Sequence, residues 1–490
     1  MRTLLNNNSL RRLKFMELLY NTKDWLTLKQ IATDIDCSER VLRVDISHIN
    51  ETYMPFSIVT SQKKGVKLEY PTNYSLEFVF QQILTDSIEF TVLEKILLDE
   101  SFDIIDLANT LYTSPSTLNR IINKNNKLLL ERDIKIHTQP CYIGGNELNI
   151  RNLLSQFLLE KYGAYNSPFT THQIQTVDYL YEMMCETVNE TPAMQDRLRL
   201  RYWFMASIIR INNGHHLTLE SNEVPQEVKQ LYQNEQLQIA FTFLLDCEFT
   251  PTILMELLVI FADINYFSNT SALKTHLKQT TTDNLLARNI YTFLTNLSEN
   301  THIPLTNIDE VALQLYNKHY LLVGPNYIIY NRKALFAKRI REVYPFFVAS
   351  VQQELSKLSS AQDFYYKDYA VNEILYTLLI HWENFITLLE KALPPLTVGL
   401  YSDFDNAHSR FVEGILHYYF GKHLQFVHIQ DISDIPDISL LITTISSLNF
   451  LEMPVICIDP LPSPKNLLEI QQALQSFNDR PNYLASKYFL

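Results

Sequence analysis

The sequence predicts a mainly α-helical, multidomain chain that ends in a small parallel α/β domain. Three observations carry this. A short helix-turn-helix pattern occurs twice, 76 positions apart, at residues 28–46 and 107–122. From about 170 to 395, apolar residues recur at three- and four-residue spacing, as on one face of a helix. Beyond Pro394-Pro395 short apolar runs alternate with helical stretches, the pattern of strands joined by crossover helices.

Taken in order, Ser9 is expected to cap a first helix running to about Tyr20, with Leu10, Leu13 and Leu18 turned inward. The two repeated patterns then align through Ile31/Leu107, Ala32/Ala108, Ile35/Leu111, Ser38/Ser114, Leu42/Leu118 and Ile46/Ile122. Each copy reads as a short amphipathic helix, a tight turn and a Ser-capped second helix, with a small Ala where the two cross. Each is followed by a strand-turn-strand segment, at 56–68 around Lys63-Lys64-Gly65 and at 134–145 ending in Gly144-Gly145. These are the wings of two winged helices. Residues 75–100 read as helical and join the copies, and a further helix is expected from Glu147 to Tyr162.

The helical middle is too long for one small bundle and suits two, with a cut near 280–290 where Thr280 to Asp283 ends one helix and caps the next. In the last segment, strands are expected at 396–401, 424–429, 438–442 and 454–458. Helices follow the first strand (to about Phe420) and the last (about 465–477). The expected domains are therefore 1–72 and 73–165, the two winged units, 166–285 and 286–394, the two bundles, and 395–490, the α/β domain.

Composition narrows the function. Nine glycines in 490 residues form neither GxGxxG nor GxxxxGK[ST], which excludes the usual dinucleotide and phosphate cradles, and no cofactor is expected. Five scattered cysteines without a CxxC pair speak against a disulfide framework or a structural zinc site and fit reduced thiols in the cytoplasm. No apolar run is long enough to span a membrane. Neither a GxSxG elbow nor HExxH is present, so a hydrolase is unsupported. The net charge of −13 is divided unevenly: residues 1–70 carry +3 and the remainder −16. A mildly basic head on an acidic body suits a protein whose grip on nucleic acid depends on placement and pairing more than on bulk attraction.

With Leu42, Ile46 and Ile49 inward, the second helix of the first copy turns Arg40, Val44 and Ser47 outward, flanked by Arg43. Arg suits guanine or phosphate, Ser either partner, and Val a thymine methyl. Lys63 and Lys64 at the wing tip suit backbone phosphate. The same construction on the second copy exposes Ser116, Asn119, Arg120, Asn123 and Lys127. An ordinary solvated helix face is the plain alternative for both sets. The second copy could also serve as a structural or dimer-forming element.

The order of two helix-turn-helix units, a helical middle and an α/β end resembles the Mga/AtxA family of bacterial virulence and metabolism regulators over essentially the whole chain. The segment Ile143-Gly144-Gly145 to Glu147 and Arg151 looks like the junction after the second winged helix in regulators with phosphotransferase-system regulation domains (PRDs). Arg210 to Gly214-His215 is similar to the end of a helix in the first such domain, and Tyr330 to Lys333, with Tyr344-Pro345, to the entry of the second. The end domain resembles a phosphotransferase enzyme IIB. The resemblance implies a homodimeric, cytoplasmic transcription regulator that binds double-stranded promoter DNA. It also implies that HPr and enzyme I of the phosphotransferase system phosphorylate PRD histidines, and that the enzyme IIB-like domain contributes to dimerisation.

On that resemblance the phospho-acceptor candidates are His215, His216, His276, His319 and His381. Each taken singly also reads as a structural histidine, and His381 beside Trp382 as a core residue. An enzyme IIB carries its phosphoryl group on a Cys after the first strand. Here that loop is Ser402 to Asn406, acidic and free of thiol, and Cys457 is read as buried in a later strand. A phosphocarrier or sensory enzyme is therefore the weaker alternative. An RNA-binding antiterminator is weaker still, because those begin with an all-β module.

Overall fold

The computed structural model describes residues 1–22, 24–188, 194–218, 224–259, 267, 269–278, 285–321, 324–325, 327–358, 370–392, 396–420, 424–431, 437–448 and 453–478. The expected cap at Thr280–Asp283 and the Pro394-Pro395 boundary lie outside these residues. The chain divides into two compact units. One is Met1–Tyr266 with Tyr320–Arg332, the other Phe267–His319 with Lys333–Leu490.

In the first unit, α1 (Asn7–Asn21) begins one turn before the sequence suggests. Asn6, not Ser9, is its cap: the Asn6 side chain accepts the backbone N–H of Ser9 at 2.9 Å. Asn and Ser cap equally well, and the apolar face that opens with Leu4 and Leu5 favours the earlier start. Leu13 is buried as expected, while Leu10 and Leu18 are half-buried and Phe15, Met16 and Leu19 fill the core beside them.

The first helix-turn-helix is α2 (Leu28–Ile35) and α3 (Glu39–Thr52). A capping box between Thr27 and Gln30 opens α2, Asp36 makes the turn in the left-handed region at φ 58°, and Ser38 caps α3. Leu42, Ile46 and Ile49 are buried, so the inward face of α3 is the one its spacing predicts. The wing is the hairpin of β1 (Ser57–Ser61) and β2 (Gly65–Glu69), and Leu26 pairs with Val66 as a third, one-residue strand.

The joining segment is helical, as its pattern predicts, and consists of two helices. These are α4 (Leu76–Asp86) and α5 (Ile88–Leu98), separated by Ser87 in an extended conformation. The Ser87 hydroxyl donates to Glu89, a local bond that competes with helix continuation. The second copy is α6 (Ile104–Thr110), α7 (Pro115–Leu129, capped by Ser114), β3 (Ile134–Thr138), β4 (Cys141–Gly145) and α8 (Glu147–Tyr162). The first bundle follows: α9 (Thr171–Val188), α10 (Met194–Asn212), α11 (Gln226–Tyr232), α12 (Glu235–Thr242) and α13 (Pro251–Leu257), closed around Trp203, Phe204, Phe241 and Leu254.

Residues 324–332 return to this unit as a strap. Ile328 and Ile329 are fully buried in the core shared by the winged helices, and Tyr330 stacks on Phe80 at 4.3 Å. The Glu160 carboxylate of α8 accepts three consecutive strap N–H groups, from Ile328 and Ile329 at 2.8 Å and Tyr330 at 3.2 Å.

The second unit holds α14 (Thr270–Lys278), α15 (Leu285–Thr301), α16 (Ile308–Leu321), α17 (Arg332–Val343), α18 (Pro345–Leu358), α19 (Ala370–His381) and α20 (Phe385–Ala392). Its last part is β5 (Leu396–Tyr401), α21 (Asn406–Phe420), β6 (Leu424–His428), β7 (Leu440–Thr443), β8 (Val455–Cys457) and α22 (Pro464–Asn478). The four strands pair in parallel in the order β6-β5-β7-β8, the small parallel sheet expected from the alternating pattern. Cys457 corrects one expectation. It lies in a strand but is exposed, because β8 is a three-residue edge strand paired on one side only.

Candidate nucleic-acid interface and a buried charge cluster

The recognition helices α3 and α7 are built in the same register, offset by 76 residues from cap to outward face. Arg40, Arg43, Val44 and Ser47 occupy the same positions on α3 as Ser116, Asn119, Arg120 and Asn123 on α7. All eight are exposed, as are Lys127 one turn further on and Lys63 and Lys64 at the first wing tip. Val44 lies among these polar side chains and is 62% exposed. Arg43 reaches to 3.9 Å from Glu39, a loose surface pair that leaves its guanidinium free to turn outward. Lys64 lies 5.9 Å from the centre of the Trp25 ring, which holds the wing cation near the start of α2.

The two helices are seated differently. On α3, Asp45 is fully buried and accepts from Arg11 Nε at 2.6 Å and Arg12 Nε at 2.9 Å, so α1 is fixed to the recognition helix by charge. The matching position of α7 is Ile121, packed in the core. Spacing marks position 45 as inward, yet an acidic residue there reads as surface, and its partners lie 34 and 33 residues away.

Behind the second winged helix lies a cluster of buried charge. Arg151 of α8 and Arg210 of α10 are both fully buried. Arg210 donates to Glu147 Oε2 at 2.8 Å, Glu100 Oε1 at 2.6 Å and the Ile143 carbonyl of β4 at 2.9 Å. Arg151 donates to Glu147 at 3.0 Å, to Glu256 of α13 and to the His215 carbonyl at 3.1 Å. Two sequence candidates close the cluster. His215 Nε2 lies 2.7 Å from Glu100 Oε2, and His216 Nδ1 lies 3.0 Å from Glu256 Oε2. Single side chains thus bind the wing, the helix that follows it and the end of α10 together. Glu147, Arg151, Arg210 and His215 stood out in the sequence. Glu100 and Glu256 did not, because neither lies in a recognisable motif.

The remaining candidate histidines, His276, His319 and His381, belong to the second unit. His276 packs 5.1 Å from Phe267 and 6.2 Å from Tyr316, ring centre to ring centre. His319 is half-buried near the end of α16. His381 ends α19, and burial holds its ring below the usual 6.5, with Glu310 opposing and Lys318 adding to the shift.

Models of three domains match this chain in series. The M protein trans-acting positive regulator (MGA) helix-turn-helix domain matches residues 7–65, the Mga helix-turn-helix domain 72–158, and the MGA PRD domain 180–385. The matched segments together take in well over half of the chain. It belongs to the Mga/AtxA family. A protein of Streptococcus pneumoniae serotype 4 that carries the name of a trans-acting regulator is 24% identical over 435 residues, 87% of this chain and 88% of that one. The capsule synthesis positive regulator AcpA of Bacillus anthracis is 26% identical over 45% of this chain and 46% of its own. The anthrax toxin expression trans-acting positive regulator of the same organism is 21% identical over 43% and 44%. The chain thus spans less than half of each of these two Bacillus proteins. In this Mga-type regulator, the helix-turn-helix of each winged unit falls within a family helix-turn-helix domain, and the chain from the second half of α9 to the end of α19 falls within the PRD match.

Proposed function

We propose that the chain is a homodimeric transcription regulator that grips promoter DNA with both winged helices and is tuned by phosphorylation of a PRD histidine. The observation that carries the first part is the common register of α3 and α7, with eight exposed side chains on equivalent positions. Their chemistry differs: arginine, arginine, valine and serine on one, serine, asparagine, arginine and asparagine on the other. Two such surfaces read two different short sequences, so the site for one chain is not a simple repeat.

For the second part, His215 is the favoured acceptor, and HPr with enzyme I the donor system. A phosphoryl group adds about −1.5 to −2 charge at neutral pH. Placed on His215 it meets Glu100, the carboxylate that Arg210 shares with it. Repulsion there loosens the clasp between the first bundle and the second wing. Dimerisation is assigned to the enzyme IIB-like end, whose acidic loop at Ser402–Asn406 lacks a phosphorylatable thiol.

The DNA reading is tested with Arg40→Ala plus Arg43→Ala in a salt-titrated mobility-shift assay. Binding is expected to fall at least tenfold with fold and oligomeric state retained. Unchanged binding removes the first unit from the reading surface. The phosphorylation reading is tested by incubating the full chain with phospho-HPr, where loss of label in His215→Ala supports it and full labelling of that variant overturns it.

A further inference from the structure

Each recognition helix carries one asparagine whose side chain is bonded in both directions to the first strand of its own wing. Asn50 Nδ2 donates to the Ile58 carbonyl at 3.1 Å, and the Ile58 N–H donates to Asn50 Oδ1 at 2.6 Å. Asn126 Nδ2 donates to the Ile136 carbonyl at 2.9 Å, and the Ile136 N–H donates to Asn126 Oδ1 at 2.7 Å. The carboxamide presents one donor and one acceptor, as a peptide group does, so it pairs with the open edge of β1 or β3 as a neighbouring strand would.

The two asparagines share the 76-residue register of the helices, but the connections to their wings do not match. Ile58 follows Asn50 by 8 residues, whereas Ile136 follows Asn126 by 10. The extra length is taken up by the 3-10 turn Leu130–Arg132 and by Asp133 in the left-handed region. Two loops of different length and shape thus deliver the same pair of bonds. That convergence is what a locked spacing between helix and wing requires, and local chain geometry alone does not supply it.

We propose that Asn50 and Asn126 are positioning residues for DNA binding. Each fixes the offset of its wing from its recognition helix, so that the wing reaches the backbone only when the helix is seated in the major groove. The inference rests on the DNA-binding reading above. In the first unit the positioned groups are Lys63 and Lys64. The second wing tip, Gln139-Pro140, carries no cation.

The test uses the full chain and a duplex selected by the wild-type protein from a random-sequence pool. Affinity is measured across a salt series for wild type, Asn50→Ala, Lys63→Ala/Lys64→Ala and the triple variant. Asn50→Ala is expected to lower the slope of log affinity against log salt by about two, the share of two lost phosphate contacts. The lysine changes should then add less than twofold in the Asn50→Ala background. Hydroxyl-radical protection should vanish at the wing-proximal backbone while protection by the recognition helix persists. Asn126→Ala should leave the salt slope unchanged, because the second wing tip has no cation, but should abolish hydroxyl-radical protection beside that wing; protection retained there overturns the role of Asn126. Asn50→Asp keeps the acceptor for the Ile58 N–H and serves if the alanine variant does not fold; its slope is expected to lie between those of wild type and the lysine variant. Multiplicative effects of Asn50 and the lysines, or a wild-type slope in both Asn50 variants, overturn the positioning role. A wild-type chain that selects no duplex overturns the DNA reading itself and this inference with it.

Discussion

At the scale of single residues, the decisive groups are charges placed where water does not reach. Asp45 shows why. Its carboxylate is fully buried, while Arg11 and Arg12 keep 19% and 17% of their side chains exposed. Breaking a buried pair costs about 3–5 kcal/mol when the partner is left stranded. Here both arginines can turn back to solvent, so Asp45→Ala is expected to cost about 2–3 kcal/mol, read from urea unfolding. It should also weaken DNA binding more than that loss explains, because α3 loses its charged anchor on α1. Ile121 gives the control: Ile121→Ala should destabilise by a similar amount through a cavity, with no dependence on salt.

At the scale of elements, the first wing is built around one glycine. Gly65 has φ +100°, and a Cβ there would lie 2.1 Å from the Leu26 carbonyl oxygen. Gly65→Ala must therefore break the Leu26–Val66 pairing or strain the hairpin. We expect a loss of at least about 2 kcal/mol, measured by chemical denaturation, with hydrogen-exchange protection lost at Leu26 and Val66. Elements of this kind were legible in the sequence because their signals are local. Ser38 and Ser114 mark helix starts, apolar spacing marks inward faces, and Lys63-Lys64-Gly65 marks a turn. The cap at Asn6 is not legible there because it is a choice between near-equal local options. The two-way asparagine bonds and the Glu100–Arg210–Glu147 cluster join groups whose pairing no periodicity encodes. The glutamate partners of the histidines lie 115 and 40 residues from them.

At the scale of the molecule, both units carry a histidine that burial holds below its usual 6.5, His48 in the first and His381 in the second. The folded state favours their neutral form, so the unfolded chain binds more protons as pH falls through 6.5. Stability must then fall with pH in that window, and above about 7.5 these groups give no slope. Burial raises Asp86 and Glu160 instead, which acts in the opposite sense at lower pH. Comparing His381→Asn with wild type isolates one histidine. Melting temperatures at pH 7.5 and 5.5 should differ less in the variant, and an equal acid drop in both would remove His381 from the account.

The strap at 324–332 has a practical consequence for anyone dissecting this chain. The helix-turn-helix matches end at residue 158, two positions before Glu160, and a fragment cut near there omits the three N–H groups that occupy its carboxylate. Extending the fragment to 266 keeps Glu160 but still leaves a bare apolar slot where Ile328 and Ile329 belong. Such a piece should gain solubility and heat resistance when a synthetic peptide covering 320–332 is added in trans. The first unit is thus discontinuous along the chain, and its core takes in a stretch encoded more than fifty codons downstream of residue 266.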